Sequence, residues 1–460
     1  MQIIQYLHEK VNCNYTKGKE MKKRLLVFSI DAMVSEDTDY LRTCKNFSKY
    51  LAGGSEVKKI RTVYPSVTYP AHVSMTTGCY PGKTGVFSNY KFTTNSKEDT
   101  WQWFAESNKA RDIFTAAKEA GYSTGSVAWP VTGRHPSIDC LIDEYWMPQK
   151  GDTLAGSFER AGSSPEMISI IEANEGLLAP SYKLTGRKNF CVYPNIDDFF
   201  VKSACDIIRK YSPEVMFVHE GNIDHGRHTN GVFGSWLAPE LDRVDDYIGQ
   251  IGRALEDSGE LENTDFFLVS DHGQRDIKRT VKPNVLLAKH GYIDLSEKGR
   301  PVSYRAYCLS NAMSSLVYLN DPENKLIHDE LYSLLCELRD EGIYGFNEVL
   351  TREEAAERYH LDGDFAFVLE SDGYTSFSDS CKLPYIAPLD LTDFRFGHAT
   401  HGYMPEKGPQ PTLIAKGPHI RSGVTVENRN IVDEAPTYAR ILGVSLPDAQ
   451  GYPIEEILDL

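Results

Sequence analysis

Three short apolar runs in this chain stop at metal-binding side chains, and a fourth motif of that kind stands just before another apolar run. Leu25–Ile30 delivers Asp31, Val215–Val218 leads through Gly221 to Asp224 and His228, and Phe266–Ser270 delivers Asp271 and His272. His398-Ala399-Thr400-His401-Gly402-Tyr403 precedes the run Thr412–Ala415. Buried strands that end in carboxylates and imidazoles describe an α/β fold with a metal centre at the carboxyl edge of its sheet. The expectation is a doubly wound, mostly parallel sheet with helices on both faces.

Helical periodicity between these strands supports it. Ala110, Ile113, Phe114 and Ala117 share one face, with Ser107 as the expected N-cap and Gly121 as the stop. Leu237, Leu241, Val244, Ile248, Ile251 and Leu255 make the stripe of a long helix, and Phe200, Ala204, Ile207 and Tyr211 that of another ending at Ser212-Pro213. Two regions break the alternation. Residues 131–196, rich in Gly, Ser, Pro and aromatics, read as an insertion over one end of the sheet. Residues 295–392 read as a lid-like α/β subdomain, with strands at Ser314–Leu319 and Asp364–Leu369 and a helix striped by Ile327, Leu331, Leu334, Leu335 and Leu338. The core is then 22–294 plus 393–460, after an N-terminal arm over 1–21 in which Met21 is an alternative start.

Charge and cysteine usage narrow the partners. Lys plus Arg is 49 against 65 for Asp plus Glu, a net charge of −16 with no basic block. That argues against a nucleic-acid polymer or an anionic membrane as the main partner and leaves a small substrate; a homo-oligomer is compatible with it. Nine cysteines without a C-x-x-C pair read as free thiols, hence a cytoplasmic location. Lys22-Lys23-Arg24 before Leu25–Ile30 looks like a leader, but the run is short and Asp31 interrupts it, so it is read as the first strand.

The ligand types point to zinc, with Mn²⁺ or Co²⁺ as alternatives. Asp224 and His228 lie at i and i+4, on one face if that segment is helical. His398 competes with His401 for the last ligand place, while His72, His219 and His225 read as structural or as supports for the ligands. A hydroxyl stands at a helix start in Tyr64-Pro65-Ser66-Val67-Thr68-Tyr69-Pro70, where unpaired N–H groups favour an anion. Thr68 could be a simple N-cap; beside a metal its hydroxyl becomes a nucleophile, with Ser66 the local competitor.

At these residues the chain resembles the nucleotide pyrophosphatase/phosphodiesterase family of the alkaline phosphatase superfamily. The similarity runs from Leu25 to the carboxyl end, through Asp31, Thr68-Tyr69-Pro70-Ala71-His72 and Gly85-Val86-Phe87-Ser88-Asn89. It continues through Asp224-x-x-x-His228, Ser270-Asp271-His272-Gly273 and His401-Gly402-Tyr403. The resemblance implies two zinc ions, one on Asp224, His228 and His401 and the other on Asp31, Thr68, Asp271 and His272. It implies Thr68 as the nucleophile of a phosphothreonine pathway, Asn89 as the amide donor to a phosphate oxygen, and Tyr69 as the ring that stacks on a substrate base. Met404-Pro405 stands where eukaryotic-type members continue Asp-Asn, which is closer to bacterial members. The sulfatase nucleophile motif is absent.

The expected activity is zinc-dependent hydrolysis of phosphodiester or pyrophosphate bonds in nucleotide-like substrates. A phosphomonoesterase or phosphonate hydrolase on the same centre is the enzymatic alternative, and a metal-stabilised binding protein the non-enzymatic one. An arginine reaching Thr68 would favour monoesters, and Arg134, Arg227 and Arg279 are the ones whose place the sequence leaves open.

Overall fold

The computed structural model describes residues 22–94, 100–144, 153–180, 192–391 and 397–460. The expected arm over 1–21 and the expected core boundary at 393 fall outside them. An eight-stranded sheet organises the chain. Its strands lie in the order Thr425–Asn430, Ser55–Arg61, Leu413–Lys416, Thr264–Val269, Arg24–Ile30, Val215–Glu220, Thr124–Val127 and Cys140–Ile142. Arg24–Ile30 is parallel to both neighbours, pairing Ile30 with Glu220 and Ser29 with Val269, so these strands end at one edge. Leu413–Lys416 alone runs against the rest of this sheet.

The side-chain alternation of Arg24–Ile30 sorts the helices. Leu26, Phe28 and Ile30 pack into a cluster with Phe47, Phe199, Ala204, Leu241 and Ile248. These come from the helices Lys45–Tyr50, Asn195–Tyr211 and Leu237–Ser258. Leu25 and Val27 pack on the opposite face with Ala71, Ile113, Phe114 and Tyr438, from the helices Thr68–Thr77, Ile113–Glu119 and Glu434–Leu442. A strand buried on both faces must be apolar at successive positions, as Leu25–Phe28 are. The fold is the doubly wound α/β architecture.

Three elements differ from the sequence reading. The cap of Ile113–Glu119 is Asp112, whose Oδ1 accepts from Thr115 N–H at 2.8 Å, while Ser107 closes a separate short turn. Within 131–196, Cys140–Ile142 returns as the edge strand of the main sheet, and Met167, Ile168 and Ile171 of the helix Pro165–Asn174 enter its core. The second subdomain strand begins at Phe367, not Asp364.

A separate antiparallel sheet is inserted in the chain between the main-sheet strands Thr264–Val269 and Leu413–Lys416. It orders Ala306–Asn311, Ser314–Leu319, Phe367–Ser371 and Phe346–Thr351, with its own apolar cluster around Leu331, Leu335 and Leu338 of the helix Lys325–Glu341. A mixed cluster of Leu309, Leu316 and Val368 with Tyr64 and Met404 joins the two sheets. The contact is close: a Cβ on Gly402, whose φ is +91°, would sit 1.8 Å from the Asn311 carbonyl oxygen. Only glycine fits that position.

Candidate metal centre

The parallel strands hand their terminal side chains to one edge, and the reversed strand contributes through its start. Leu413 pairs with Val269, so the segment preceding Leu413 reaches the edge at which Asp31 and Asp271 emerge. Two groups of ligand atoms form there, Asp224 with His228 and His401, and Asp31 with Asp271 and His272, each within 4.8 Å. The segment Asn222–Asn230 is helical, which sets His228 Nε2 3.2 Å from Asp224 Oδ2. His401 Nε2 lies 3.8 Å from Asp224 Oδ1. In the other group His272 Nε2 is 3.2 Å from Asp271 Oδ2 and 3.5 Å from Asp31 Oδ1. The His272 and His401 rings stack at 4.1 Å, so the groups adjoin. His398 is exposed and takes no part in either group.

The donors are oriented from behind. Asp271 Oδ1 accepts from the N–H groups of Ala32 at 3.0 Å and His272 at 2.9 Å, while Asp271 Oδ2 and Asp31 Oδ1 are buried and accept no hydrogen bond. His228 donates from Nδ1 to the Ala399 carbonyl at 2.7 Å, which presents Nε2 toward Asp224 as a lone pair. His219 Nε2 stands 3.3 Å from Asp31 Oδ2, His72 hydrogen-bonds Thr68 O and Ser29 Oγ, and exposed His225 stacks on Tyr193.

Electrostatics agree with a cation site. Burial, then the charges of Asp224 and Glu220, push the Asp31 carboxyl well above its ordinary range; burial and Asp31 do the same to Asp271. Burial alone would raise Asp224 too, but His228, His401 and His272 outweigh it and hold it low. Burial and His401 push His272 well down, and burial brings His401 to about 4. Neutral imidazoles beside carboxylates that resist ionising without a counter-charge are the ligand set a divalent cation requires. The residues fit divalent cations.

Thr68 is the first residue of its helix; Val67, at φ −126° and ψ 155°, is the cap residue. Its Oγ1 lies 3.2 Å from His272 Nε2. Ser66 points elsewhere, donating to Tyr403 O at 2.8 Å and accepting from Gly402 N–H at 3.1 Å. Asn89 Oδ1 accepts from Tyr69 N–H at 2.9 Å, which turns its NH₂ end outward as a donor. The helix start offers fewer amides than expected. The Tyr69 amide serves Asn89, Pro70 has none, and the Ala71 amide bonds Val67 O.

Tyr69, expected as a stacking ring, is instead 1% exposed beneath Trp101, at a centroid distance of 5.4 Å. Trp101 and Trp103 alternate along an extended segment pinned by Gln102 to Asn89 O and Ser88 O, so both indoles fall on the same side and cover it. The part-exposed rings there are Trp101 and Tyr90, 4.6 Å apart. The three arginines are engaged elsewhere. Arg227 is buried against Asp37, Ala32 O and Val232 O; Arg279 binds Asp372 and Thr375; Arg134 binds Arg160 O and covers the Phe104 ring.

Sequence reasoning missed several neighbours. Gln274 donates to Asp224 through Nε2, and its place two residues after His272 was the available signal. Asp143 and Glu144 are buried just past the edge strand Cys140–Ile142, whose three apolar residues were too short to stand out. Ser310, Asn311 and Ala312, from the hairpin of the second sheet, line a narrow slot with Val67, Asn89, Tyr90 and His401. No local pattern could place them there.

The profile of the type I phosphodiesterase / nucleotide pyrophosphatase family matches residues 25–404. The chain belongs to that family. Ectonucleotide pyrophosphatase/phosphodiesterase family member 1 of Rattus norvegicus is 25% identical over 261 residues, covering 54% of this chain and 24% of its own length. Bis(5'-adenosyl)-triphosphatase enpp4 of Xenopus laevis is 20% identical over 437 residues, covering 92% of this chain and 78% of its own. The chain thus spans about a quarter of the first curated relatives it matches. The structure of human ectonucleotide pyrophosphatase / phosphodiesterase 5 superposes with a TM-score of 0.65 at 16% identity, over 95% of this chain and 100% of that one. Type I phosphodiesterase / nucleotide pyrophosphatase membership and the alkaline phosphatase-like fold agree with the motif reading. Among the described residues no helix is long and apolar enough to cross a membrane, and all seven cysteines are free.

Proposed function

We propose that this chain is a metal-dependent hydrolase of phosphodiester or pyrophosphate bonds in nucleotide-like substrates, acting through a phosphothreonine on Thr68. The observation that carries the reading is the Thr68 hydroxyl, 3.2 Å from His272 Nε2 at the junction of two ligand groups. Asp224, His228 and His401 would hold one ion and Asp31, Asp271 and His272 the other, zinc being the ion that suits them. Two divalent cations, when bound, would neutralise the −4 of Asp31, Asp224, Asp271 and a deprotonated Thr68, and favour loss of the threonine proton.

Thr68 gives up its proton to solvent and bonds to phosphorus as the bond to the leaving-group oxygen breaks on the far side, and the departing oxygen takes a proton from solvent; water then attacks the phosphothreonine, its hydroxyl going to phosphorus and its proton to the threonine oxygen, which restores the Thr68 hydroxyl and releases the phosphate product. Asn89 donates its amide to an equatorial phosphoryl oxygen. The buried helix start fixes the Thr68 rotamer, and the Trp101–Tyr90 pair offers an aromatic surface to a base. Two relatives support the substrate class. The Xenopus relative is named a bis(5'-adenosyl)-triphosphatase, and a structure of murine ectonucleotide pyrophosphatase / phosphodiesterase 5 is of an inactive threonine-to-alanine variant in complex with AMP.

The test is turnover of aryl phosphodiesters, dinucleotides, aryl monoesters and phosphonoacetate by purified protein, with and without added zinc. Zinc-stimulated cleavage of diesters or dinucleotides is expected. No turnover of any of them under metal loading would leave the binding-protein reading in its place.

A further inference from the structure

The second sheet places a buried carboxylate directly behind the site. Glu370, in the strand Phe367–Ser371, is fully buried. Its Oε2 accepts from the Tyr64 hydroxyl at 2.9 Å, and its Oε1 accepts from Met404 N–H at 3.1 Å and lies 3.3 Å from Lys407 Nζ. Tyr64 stands four residues before Thr68, and Met404 three after His401. These loops also touch each other, through Ser66 Oγ to Tyr403 O and Gly402 N–H to Ser66 O at 2.9 Å. One carboxylate therefore holds both partners of that junction from a third element.

Packing does not require a charge at this position. The neighbouring cluster holds the apolar side chains Leu309, Leu316 and Val368, yet an apolar residue in place of Glu370 would leave the Tyr64 hydroxyl and the Met404 amide without their acceptor. Burial pushes the Glu370 carboxyl up to about 7, even though Lys407, the Met404 amide and Tyr64 pull it back down. A fold that carries such a group gives up stability for it, a trade that is characteristic of sites where geometry matters more than stability.

We propose that Glu370 is a positioning residue: from the second sheet it fixes the spacing between the loop that bears Thr68 and the loop that bears His401. The role rests on the reading of those two residues as site residues. It also makes the second sheet part of the machinery and not only a cover.

The test compares Glu370→Ala, Glu370→Gln and Tyr64→Phe by turnover and by amide exchange of the metal-free protein. In Glu370→Ala, kcat for an aryl diester should fall by about tenfold or more while KM stays within about threefold. Exchange at residues 66–69 and 401–404 should accelerate in that variant beyond any change elsewhere. Glu370→Gln should restore both, because its amide can donate to Tyr64 Oη and accept from Met404. Tyr64→Phe removes one bond without opening a void and should show the same changes at smaller size; it carries the test if the alanine variant does not fold. Unchanged kcat and exchange in folded Glu370→Ala, or in Tyr64→Phe in its stead, would overturn the proposal, as would damage from glutamine equal to that from alanine. Exchange needs neither substrate nor metal. Loosened loops would therefore support the tie even if the intact protein hydrolysed nothing, an outcome that would count against the hydrolase reading alone.

Discussion

The Nδ1–H of His228 donates to the carbonyl oxygen of Ala399 at 2.7 Å, joining two motifs separated by 171 positions. One bond orients a candidate ligand on the helix Asn222–Asn230 and anchors the chain two residues before His401. The first of the two ligand groups thereby closes through backbone as well as through side chains. The consequences for metal binding, chemistry, selectivity and stability can each be measured.

Elemental analysis of active protein should find two divalent ions per chain, removable by chelator or acid because the ligands must be deprotonated. One ion, or none, in fully active protein would end the two-ion reading. Asp271→Asn should cost more than the ~10–100-fold typical of residues that merely orient ligands. His225→Ala should cost little, since His225 is exposed and stacks only on Tyr193 among the contacts described. In metal-free protein Asp271→Asn should raise Tm, because it removes a carboxyl whose ionised form burial and the charge of Asp31 both disfavour.

Thr68→Ala should abolish turnover and leave Tm nearly unchanged, since Val67 and not Thr68 occupies the cap position. Thr68→Ser keeps the hydroxyl and should keep appreciable activity. Ser66→Ala should behave in the opposite way. It removes a buried bond to Tyr403 and an acceptor for Gly402, costing about 1–3 kcal/mol of stability. Catalytic death in Ser66→Ala with Thr68→Ala still active would reassign the nucleophile.

Diesters should be preferred to monoesters. With two divalent ions bound the centre would be balanced for a monoanion, and Arg134, Arg227 and Arg279 are all committed to other partners. The ratio of kcat/KM for a nucleoside aryl diester to that for the aryl monoester should exceed one. A ratio well below one would move the chain to the monoesterase or phosphonate-hydrolase alternative.

Stability should fall as pH rises from about 4.5 to 7, in the part set by Glu370. Its folded pKa lies above the unfolded value, so the protonated form is the one the fold favours, and ionisation costs stability until the folded pKa is passed. Lys407, Tyr64 and the Met404 amide face the carboxyl, and Glu348 shares Lys407 at 3.2 Å. A difference of about 2.5 pH units corresponds to roughly 3 kcal/mol at most. Chemical denaturation of Glu370→Gln across this range should show a flatter profile and greater stability near pH 8. Parallel profiles for the two proteins would place the titrating group elsewhere.

The sequence by itself determined the architecture and named the candidate ligands that the fold brings together. Runs such as Leu25–Phe28 are apolar at successive positions because both faces of a central strand are covered, and a chain can place Asp31 or Asp271 at such an end only where the sheet stops. The i, i+4 spacing of Asp224 and His228 is a local helical property and needed no tertiary contact. Tertiary structure decided what spacing cannot encode. His401 reaches the centre because Leu413–Lys416 runs in reverse, so the residues before that strand, and not those after it, arrive at the shared edge. Tyr69 is covered by Trp101 and Trp103, which lie more than thirty positions away and only fold onto it. Glu370 and Asn311 belong to another sheet altogether, and their relation to Thr68 exists only because Gly402 lets two backbones meet.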